Sequence, residues 1–216
     1  FMVTVMGLIP FIATLGGMWI YRGILMILTN GQTIAVRAYA SEEILNSFVK
    51  FGSGSILGIP IPAYVFIVVA LLLSFILKKT VFGRNIYFIG SNPDAAAMSG
   101  INVPKVKFIA YIITGMLGGL AGAMLAGRLV SMPTNGGNGY EFEGIFASVL
   151  GGISMVGGEG GMLGAVVGAI IVACIRNGLN LNGIDAFWQQ VILGIIIVMA
   201  VFYDTVRTKK ARNAKS

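Results

Sequence analysis

Long uncharged runs dominate this sequence of 216 residues and restrict the folds open to it. Residues 3–21, 63–77 and 108–127 contain no Asp, Glu, Lys or Arg, and the chain is 56% hydrophobic but only 11% charged. Soluble domains rarely approach this composition. A helix of about 20 apolar residues crosses a bilayer core of about 30 Å. We therefore expect an all-α fold, a polytopic transmembrane helical bundle.

Six membrane segments fit the apolar runs. Their bounds are close to 3–24, 62–79, 107–128, 143–158, 160–178 and 186–204. Pro10, followed by Gly16 and Gly17, predicts a break in the first segment, with a plain Pro kink packed on neighbouring helices as the equal alternative. The uncharged run at 144–156 is short for a bilayer, which predicts a thin or re-entrant segment.

Glycines four residues apart recur on two of these segments. The pairs are Gly115 with Gly119, Gly118 with Gly122, and Gly164 with Gly168. Small-xxx-small spacing lets helices approach closely in lipid. We therefore expect each glycine face to pack against another helix.

The basic residues cluster in two short segments beside apolar runs. Ten of the fifteen lie there, namely Lys78, Lys79, Arg84, Lys105, Lys107, Arg207, Lys209, Lys210, Arg212 and Lys215. Such an excess of Lys and Arg predicts cytoplasmic segments, and counting 143–158 as a crossing puts both on one side. One transmembrane domain over 1–216 then has a cytoplasmic loop at 80–106, an extracytoplasmic loop at 25–61 and a cytoplasmic tail at 205–216.

The cytoplasmic loop contains the local signals of one short helix. Asn92 can cap it, Pro93 suits the first helical position, Asp94 complements the positive end of the dipole, and Gly100 stops it. A helix of about two turns is marginal in water unless it packs on a surface. We therefore expect another protein to cover this helix.

A second short helix is predicted in the extracytoplasmic loop. Ser41 can cap it, Glu42 and Glu43 lie in its first turn, and Lys50 lies near its end. Ile44, Leu45, Phe48 and Val49 would share its apolar face. This pattern suits a helix lying at the membrane surface.

Several chemistries lack their residues in this sequence. There is no histidine and one cysteine, so an internal disulfide, a usual zinc site and histidine acid-base catalysis are excluded. No G-x-x-x-x-G-K-[ST] motif is present, and nothing resembles a nucleic-acid recognition module despite the net charge of +7. We expect Cys174 to be a small buried hydrophobe and Glu141 and Glu143 to be solvated loop charges.

The positions of the acidic residues argue against a proton-coupling site within the membrane. All eight lie in loops or at the ends of apolar runs. A proton relay needs ionisable groups at membrane depth, although backbone carbonyls can still bind sodium. A carrier of this kind needs energy delivered from outside, and the capped cytoplasmic helix is the expected entry point.

A family resemblance follows from five stretches that are spread along the chain between residues 9 and 204. Asp94, Ala95, Ala96 and, after three residues, Gly100 match the acidic-Ala-Ala-x-x-x-Gly core of the cytoplasmic coupling loop in permeases of ATP-binding-cassette importers. The other stretches are IPFIATLGGMWIYRG, SMPTNGGNGYEFEGIFASVLGG, MVGGEGGMLGAVVGAIIVACIRNGLNLNG and FWQQVILGIIIVMAVFYD. The chain resembles the ribose-type branch, the monosaccharide permeases.

The resemblance implies an inner-membrane transport subunit with several partners. It implies a homodimer, a cytoplasmic ATPase that is often a fused tandem of two cassettes and binds ATP and Mg, and an extracytoplasmic sugar-binding protein. The chain itself would be no enzyme and would hold no cofactor or metal. Family members are about half as long again, so this chain resembles their C-terminal two thirds. Arg176 stands where relatives commonly have Asn.

The resemblance also assigns a role to the short cytoplasmic helix. The coupling helix would span 92–100, and its residues are Asn92, Pro93, Asp94, Ala95, Ala96 and Gly100. Closure of the cassettes on ATP would move this helix and tilt the spans at 62–79 and 107–128, which changes the side that the cavity faces.

Neutral polar residues near helix breaks are the candidates for the sugar path. They are Thr14, Asn177, Asn180 and Gln189. A hydroxyl-rich substrate needs uncharged donors and acceptors, but hydrogen bonds between helices are the competing interpretation for each residue. Arg128 and Arg176 are expected near the outer surface, where their side chains would snorkel.

Two other classes of function remain to be compared with the importer. An ATP-independent channel or facilitator predicts transport without ATP and gives the Asp94 helix no role. The second class is an intramembrane enzyme or a purely structural subunit, and the sequence contains no catalytic set of residues for it. Ribose is the favoured sugar by resemblance, with other pentoses, allose, galactose and a furanose-like signal molecule as rivals.

Overall fold

The computed structural model describes residues 2–185, 187–196, 198–199 and 202, and most of them are helical. The helices are α1 (Pro10–Thr29), α2 (Glu42–Ser53), α3 (Ile61–Lys79), α4 (Val81–Ser91), α5 (Pro93–Met98), α6 (Val103–Leu129), α7 (Tyr140–Leu150), α8 (Met162–Leu181) and α9 (Phe187–Ile196). Two antiparallel pairs of short strands accompany them, β1 (Ile34–Ala35) with β4 (Ser131–Met132) and β2 (Ser55–Ile56) with β3 (Ile59–Pro60). The predicted all-α class is confirmed.

Four helices in the described part of the chain are long and apolar enough to cross a membrane. They are α1, α3, α6 and α8, and they match four of the six predicted segments. The segment predicted at 186–204 begins with α9, a shorter apolar helix. Much of its remainder lies outside the described residues, as does the predicted tail at 205–216.

The crossing predicted at 143–158 is not one continuous helix. Helix α7 has 11 residues, a length of about 16 Å at 1.5 Å per residue. The chain then turns through residues 151–161, which we call the glycine-rich loop. Gly152, Gly157, Gly158 and Gly160 adopt positive φ there. Other residues rarely adopt that conformation, so this run of glycines ends the helix early.

Helix α1 corrects the predicted break near Pro10. Pro10 occupies the first turn of the helix, which then runs without interruption to Thr29. A proline costs nothing at that position, because its missing N–H would have no partner within the helix anyway. Pro10 therefore begins α1 and does not break it.

The contacts of the chain divide it into two units. One unit contains Phe1–Val69 and Ser99–Asn138, and the other contains Ala70–Met98 and Gly139–Ser216. In the first unit, α2 packs on the end of α6, where a Cβ on Gly127 would lie 2.5 Å from the carbonyl oxygen of Phe48. Only glycine permits this approach of two backbones.

Helix α2 confirms the helix predicted in the 25–61 loop. Ser41 lies at its N-cap, with Glu42 and Glu43 in the first turn and Lys50 in the last. The Ser41 side chain makes no capping hydrogen bond, so the cap acts through backbone geometry alone. Part of the apolar face meets α6, since Leu45 is buried.

The second unit contains a helix that the sequence did not predict. Helix α4 occupies residues that were interpreted as part of a polar loop. Its start is marked by Thr80, whose hydroxyl oxygen accepts from the Gly83 N–H at 3.1 Å and donates to the Ile76 carbonyl at 2.6 Å. Thr80, the N-cap of α4, is therefore the single residue between α3 and α4.

Candidate functional site

The short helix predicted within 92–100 forms as helix α5, Pro93–Met98, and local hydrogen bonds define its start. The Asn92 Oδ1 accepts from the N–H groups of Asp94 and Ala95, both at 3.0 Å. Pro93 is the first helical residue and Asp94 lies in the first turn. Gly100 has a φ of 81°, which suits a chain that leaves a helix. The predicted cap, start and stop are all present.

Most of helix α5 is exposed. Of residues 91–100, only Ala96 is buried, at 3% exposure. Met98 is 91% exposed, and Phe88, at the end of α4, is 62% exposed. Two large apolar side chains beside this short helix are therefore exposed.

Helix α4 carries α5 and packs against the glycine-rich loop. A Cβ on Gly90 would lie 2.5 Å from the Gly158 nitrogen, and one on Gly157 would lie 2.6 Å from the Gly90 carbonyl oxygen. The Tyr87 hydroxyl donates a hydrogen bond of 2.9 Å to the Gly160 carbonyl. Backbone therefore meets backbone where Gly90 lies against Gly157 and Gly158.

A cavity of about 270 Å³ lies beside this contact. Its lining is mainly apolar and includes Leu77, Ile86 and Ile153. A sugar needs convergent hydrogen-bonding groups, which a lining of this kind supplies poorly. The cavity is therefore not our candidate for the sugar site.

Helices α7 and α8 pack closely and run in opposite directions. Gly151 lies against Gly164, Ala147 against Gly168, and Glu143 against Arg176, so one number rises as the other falls. This arrangement confirms the close packing predicted for Gly164 and Gly168. It also places the glycine-rich loop at the N-terminal end of α8.

A salt bridge closes the far end of the α7–α8 pair. The Arg176 guanidinium contacts both Glu143 carboxylate oxygens, at 2.6 Å and 3.0 Å. Glu143 is therefore a paired residue of α7, and the prediction that it is a solvated loop charge is wrong, whereas the snorkelling of Arg176 stays a prediction. The sequence was interpreted as a loop up to residue 143, whereas α7 begins at Tyr140 and turns Glu143 toward α8.

The buried state predicted for Cys174 is also wrong. Its side chain is exposed. The face of α8 that meets α7 contains Gly164, Gly168 and Arg176, spaced by multiples of four, and Cys174 lies outside that series. The apolar run did not tell which face of α8 would be covered.

Two of the predicted sugar-path residues meet each other. The Gln189 Nε2 donates to the Asn180 Oδ1 and to the Ile184 carbonyl, both at 2.8 Å. Gln189 is only 6% exposed, whereas Asn180 is exposed. Asn177 is exposed on α8, one turn before Asn180. The C-terminal end of α8 and the start of α9 thus form a polar corner.

Thr14 lies in a different unit from Asn177, Asn180 and Gln189. It belongs to the first unit, on α1, and its hydroxyl donates to the carbonyls of Pro10 and Phe11 within the same helix. The helix break that made it a candidate does not form. Its role in the sugar path stays a prediction.

The residues missed by sequence reasoning are those that join distant parts of the chain. They are Tyr87, Gly90, Gly157 and Gly158 at the α4 contact, and Glu143 with Arg176 between α7 and α8. The glycine run at 157–161 was a visible sign of close approach, but the sequence did not show its neighbour.

Four apolar helices of spanning length indicate a multi-pass membrane protein, and comparison with known proteins gives the family. Residues 1–201 match the family described as "Branched-chain amino acid transport system / permease component", and the chain belongs to it. The ribose import permease protein RbsC of Bacillus subtilis (strain 168) is 43% identical over 90% of this chain and 59% of its own length.

Other similar proteins carry related descriptions. RbsC of Escherichia coli (strain K12) is 40% identical over 90% of this chain and 60% of its own length. The D-allose transport system permease protein AlsC of the same strain is 36% identical over 94% of this chain and 60% of its own length. The chain thus spans about three fifths of the curated relatives it matches. No solved structure matches it.

Proposed function

We propose that this chain is the membrane subunit of an ATP-binding-cassette importer and forms the path for a monosaccharide. The observation that carries the proposal is helix α5, a capped and mostly exposed helix within a chain of the permease family. A helix of six residues needs a covering surface to be stable, and its exposed side supplies a place for one.

The proposed partner at α5 is a cytoplasmic ATPase, in one chain or as a tandem of two cassettes, which binds ATP and Mg. Asn92, Pro93, Asp94, Ala95, Ala96 and Gly100 form the coupling element. Its movement would tilt the spans at 62–79 and 107–128. A second copy of the chain and an extracytoplasmic sugar-binding protein complete the importer, with the C-terminus in the cytoplasm and the chain in a bacterial inner membrane.

The proposed substrate is ribose, because relatives described as ribose permeases match at 40% and 43% identity. A relative described as an allose permease matches at 36%, so allose is one rival. The polar corner of Asn177, Asn180 and Gln189 supplies neutral hydrogen-bonding groups of the kind that sugars use. Uptake by the reconstituted importer with each labelled sugar in turn distinguishes these candidates.

Charge reversal on α5 tests the coupling role. The variant Asp94→Lys places a positive charge at the positive end of the helix dipole, so we expect loss of cassette binding and at least a tenfold fall in ATP-dependent uptake in proteoliposomes. Gly100→Arg should act in the same direction, because Gly100 adopts a φ of 81°.

A matched control separates coupling from general charge effects. Glu42 is also acidic, exposed and in the first turn of its helix. Glu42→Lys should therefore leave cassette binding unchanged. Normal cassette binding and normal uptake by an inserted Asp94→Lys protein would rule out the coupling role. Sugar uptake at full rate without ATP would instead support a facilitator.

A further inference from the structure

We propose that the glycine-rich loop is a mechanical link that carries the movement of α5 to the α7–α8 pair. The proposal rests on the coupling role given to α5 above. It adds a route through Gly90, Gly157 and Gly158. This route connects α5, where the cassettes are proposed to bind, with α8, which contributes to the polar corner. Its three steps are each visible as contacts within the second unit.

The first step joins α5 to α4. Only Asn92 separates the two helices, and its side chain is held by two hydrogen bonds to the first turn of α5. The Asn92 N–H in turn donates to the Phe88 carbonyl of α4 at 3.0 Å. Because Asn92 is hydrogen-bonded to both helices, a displacement of α5 also displaces α4.

The second step joins α4 to the glycine-rich loop. Gly90 meets the peptide between Gly157 and Gly158, and a Cβ built on Gly158 would lie 3.0 Å from the Ser91 Cβ. The Tyr87 hydroxyl fixes the other side of the contact through the Gly160 carbonyl. Backbone contact leaves no flexible side chains to absorb a displacement.

The third step joins the loop to α7 and α8. The loop leaves α7 at Gly151, which lies against Gly164 in α8. Within the loop, the Ser154 N–H donates to the Glu159 carbonyl and the Gly157 N–H donates to the Ser154 carbonyl, at 3.1 Å and 3.2 Å. The loop is thus braced internally between its two attachments.

The test adds one methyl group to the link in the complete importer. Gly90→Ala forces α4 and the loop apart, because the new Cβ would lie 2.5 Å from the Gly158 nitrogen. We expect cassette binding to stay within twofold, while sugar transported per ATP hydrolysed falls at least tenfold. A mere loss of folded protein lowers both rates together and leaves that ratio unchanged.

Gly144→Ala is the matched control. Gly144 also lies inside a helix of the second unit, but a Cβ there has nothing within 4 Å. Its transport ratio should stay within twofold of the parent. A Gly90→Ala importer with the parent ratio would overturn the proposal.

A second test removes atoms from the contact and so does not depend on how well Gly90→Ala folds. Tyr87→Phe deletes the hydroxyl that donates to the Gly160 carbonyl at 2.9 Å and adds nothing to the contact. We expect sugar transported per ATP hydrolysed to fall at least twofold, with cassette binding within twofold of the parent. The parent ratio in Tyr87→Phe would count against the proposal, because the hydroxyl would then take no part in the link.

The Asp94→Lys variant separates failure of the link from failure of the proposed function. If Asp94→Lys impairs cassette binding while Gly90→Ala has the parent ratio, the coupling helix stands and the link is wrong. If Asp94→Lys leaves binding and uptake intact, the coupling role itself is wrong, and the link falls with it.

Discussion

Helices α6 and α8 carry the same small-xxx-small pattern, but within the described part of the chain only α8 has its glycines covered. On α8, Gly164 and Gly168 lie against Gly151 and Ala147. On α6, a Cβ on Gly115, Gly118, Gly119 or Gly122 would meet nothing within 4 Å among the described residues. The pattern therefore reports the capacity for close packing, whereas the surrounding fold decides whether a partner is present.

The largest effect is expected from filling the covered glycine face. Gly168→Leu inserts a side chain where the two backbones already touch, and overpacking costs about 1–3 kcal/mol or more. We expect the upper end of that range, because backbone cannot move aside as a side chain can. Thermal unfolding in detergent and the yield of inserted protein measure the loss.

Gly118→Leu is the control for that change on the uncovered helix. It adds the same side chain to open space, so insertion and thermal stability of the isolated chain should be nearly unchanged. Equal losses in the two variants would contradict the comparison between α6 and α8.

The salt bridge between Glu143 and Arg176 tests whether α7 is held on α8 by more than small residues. Glu143→Ala leaves the Arg176 guanidinium without its carboxylate, and hydrogen bonds to charged groups contribute about 1.5–3 kcal/mol. The loss of stability in Glu143→Ala should lie near the lower end of this range, since the two side chains are 25% and 37% exposed. A double-mutant cycle with Arg176→Ala gives the coupling energy.

The reversed pair is the sharper control. Glu143→Arg with Arg176→Glu restores opposite charges on the same two helices, so it should recover part of the stability that either single change removes. No recovery and a coupling energy near zero would mean that the pair contributes nothing to the packing of α7.

These contacts show which parts of the structure the sequence could predict. Helix α5 was predictable because Asn92, Pro93 and Gly100 are local signals, each acting within a few residues. The Tyr87–Gly160 hydrogen bond joins residues 73 apart, and the Glu143–Arg176 salt bridge joins residues 33 apart. No local pattern specifies such a pair, because the same glycine or charge is compatible with many neighbours.

Helix α4 was missed for a different reason. Its sequence mixes Arg84 and Asn85 with apolar residues, which was interpreted as the polarity of a loop. The Thr80 cap marked its start and Gly83 fits tightly against the end of α3. Weighing capping residues against polarity would have predicted this helix.

Substitutions in the polar corner test whether the C-terminal end of α8 is also held by contacts, here with α9. Gln189→Ala removes two hydrogen bonds from a residue that is 6% exposed, and leaving the Ile184 carbonyl unpaired costs about 1–3 kcal/mol. We expect about 1 kcal/mol, because the exposed Asn180 can turn to solvent.

If the corner binds sugar, KM for uptake should rise at least fivefold in Asn180→Ala while cassette binding stays normal.

The competing structural role gives a different result in the same assay. Hydrogen bonds that only join α8 to α9 would lower stability in Gln189→Ala and leave KM unchanged in Asn180→Ala. Measuring both variants against one series of sugar concentrations separates the two interpretations.

The smallest effect is expected on the uncovered face of α6. Gly118→Ala adds a single methyl group where no described neighbour lies within 4 Å, and alanine is favoured over glycine inside a helix by about 1 kcal/mol in water. The isolated chain should therefore be unchanged or slightly more stable in detergent. A clear loss of stability in that chain would mean that the α6 glycines are covered after all, and the difference between α6 and α8 would disappear.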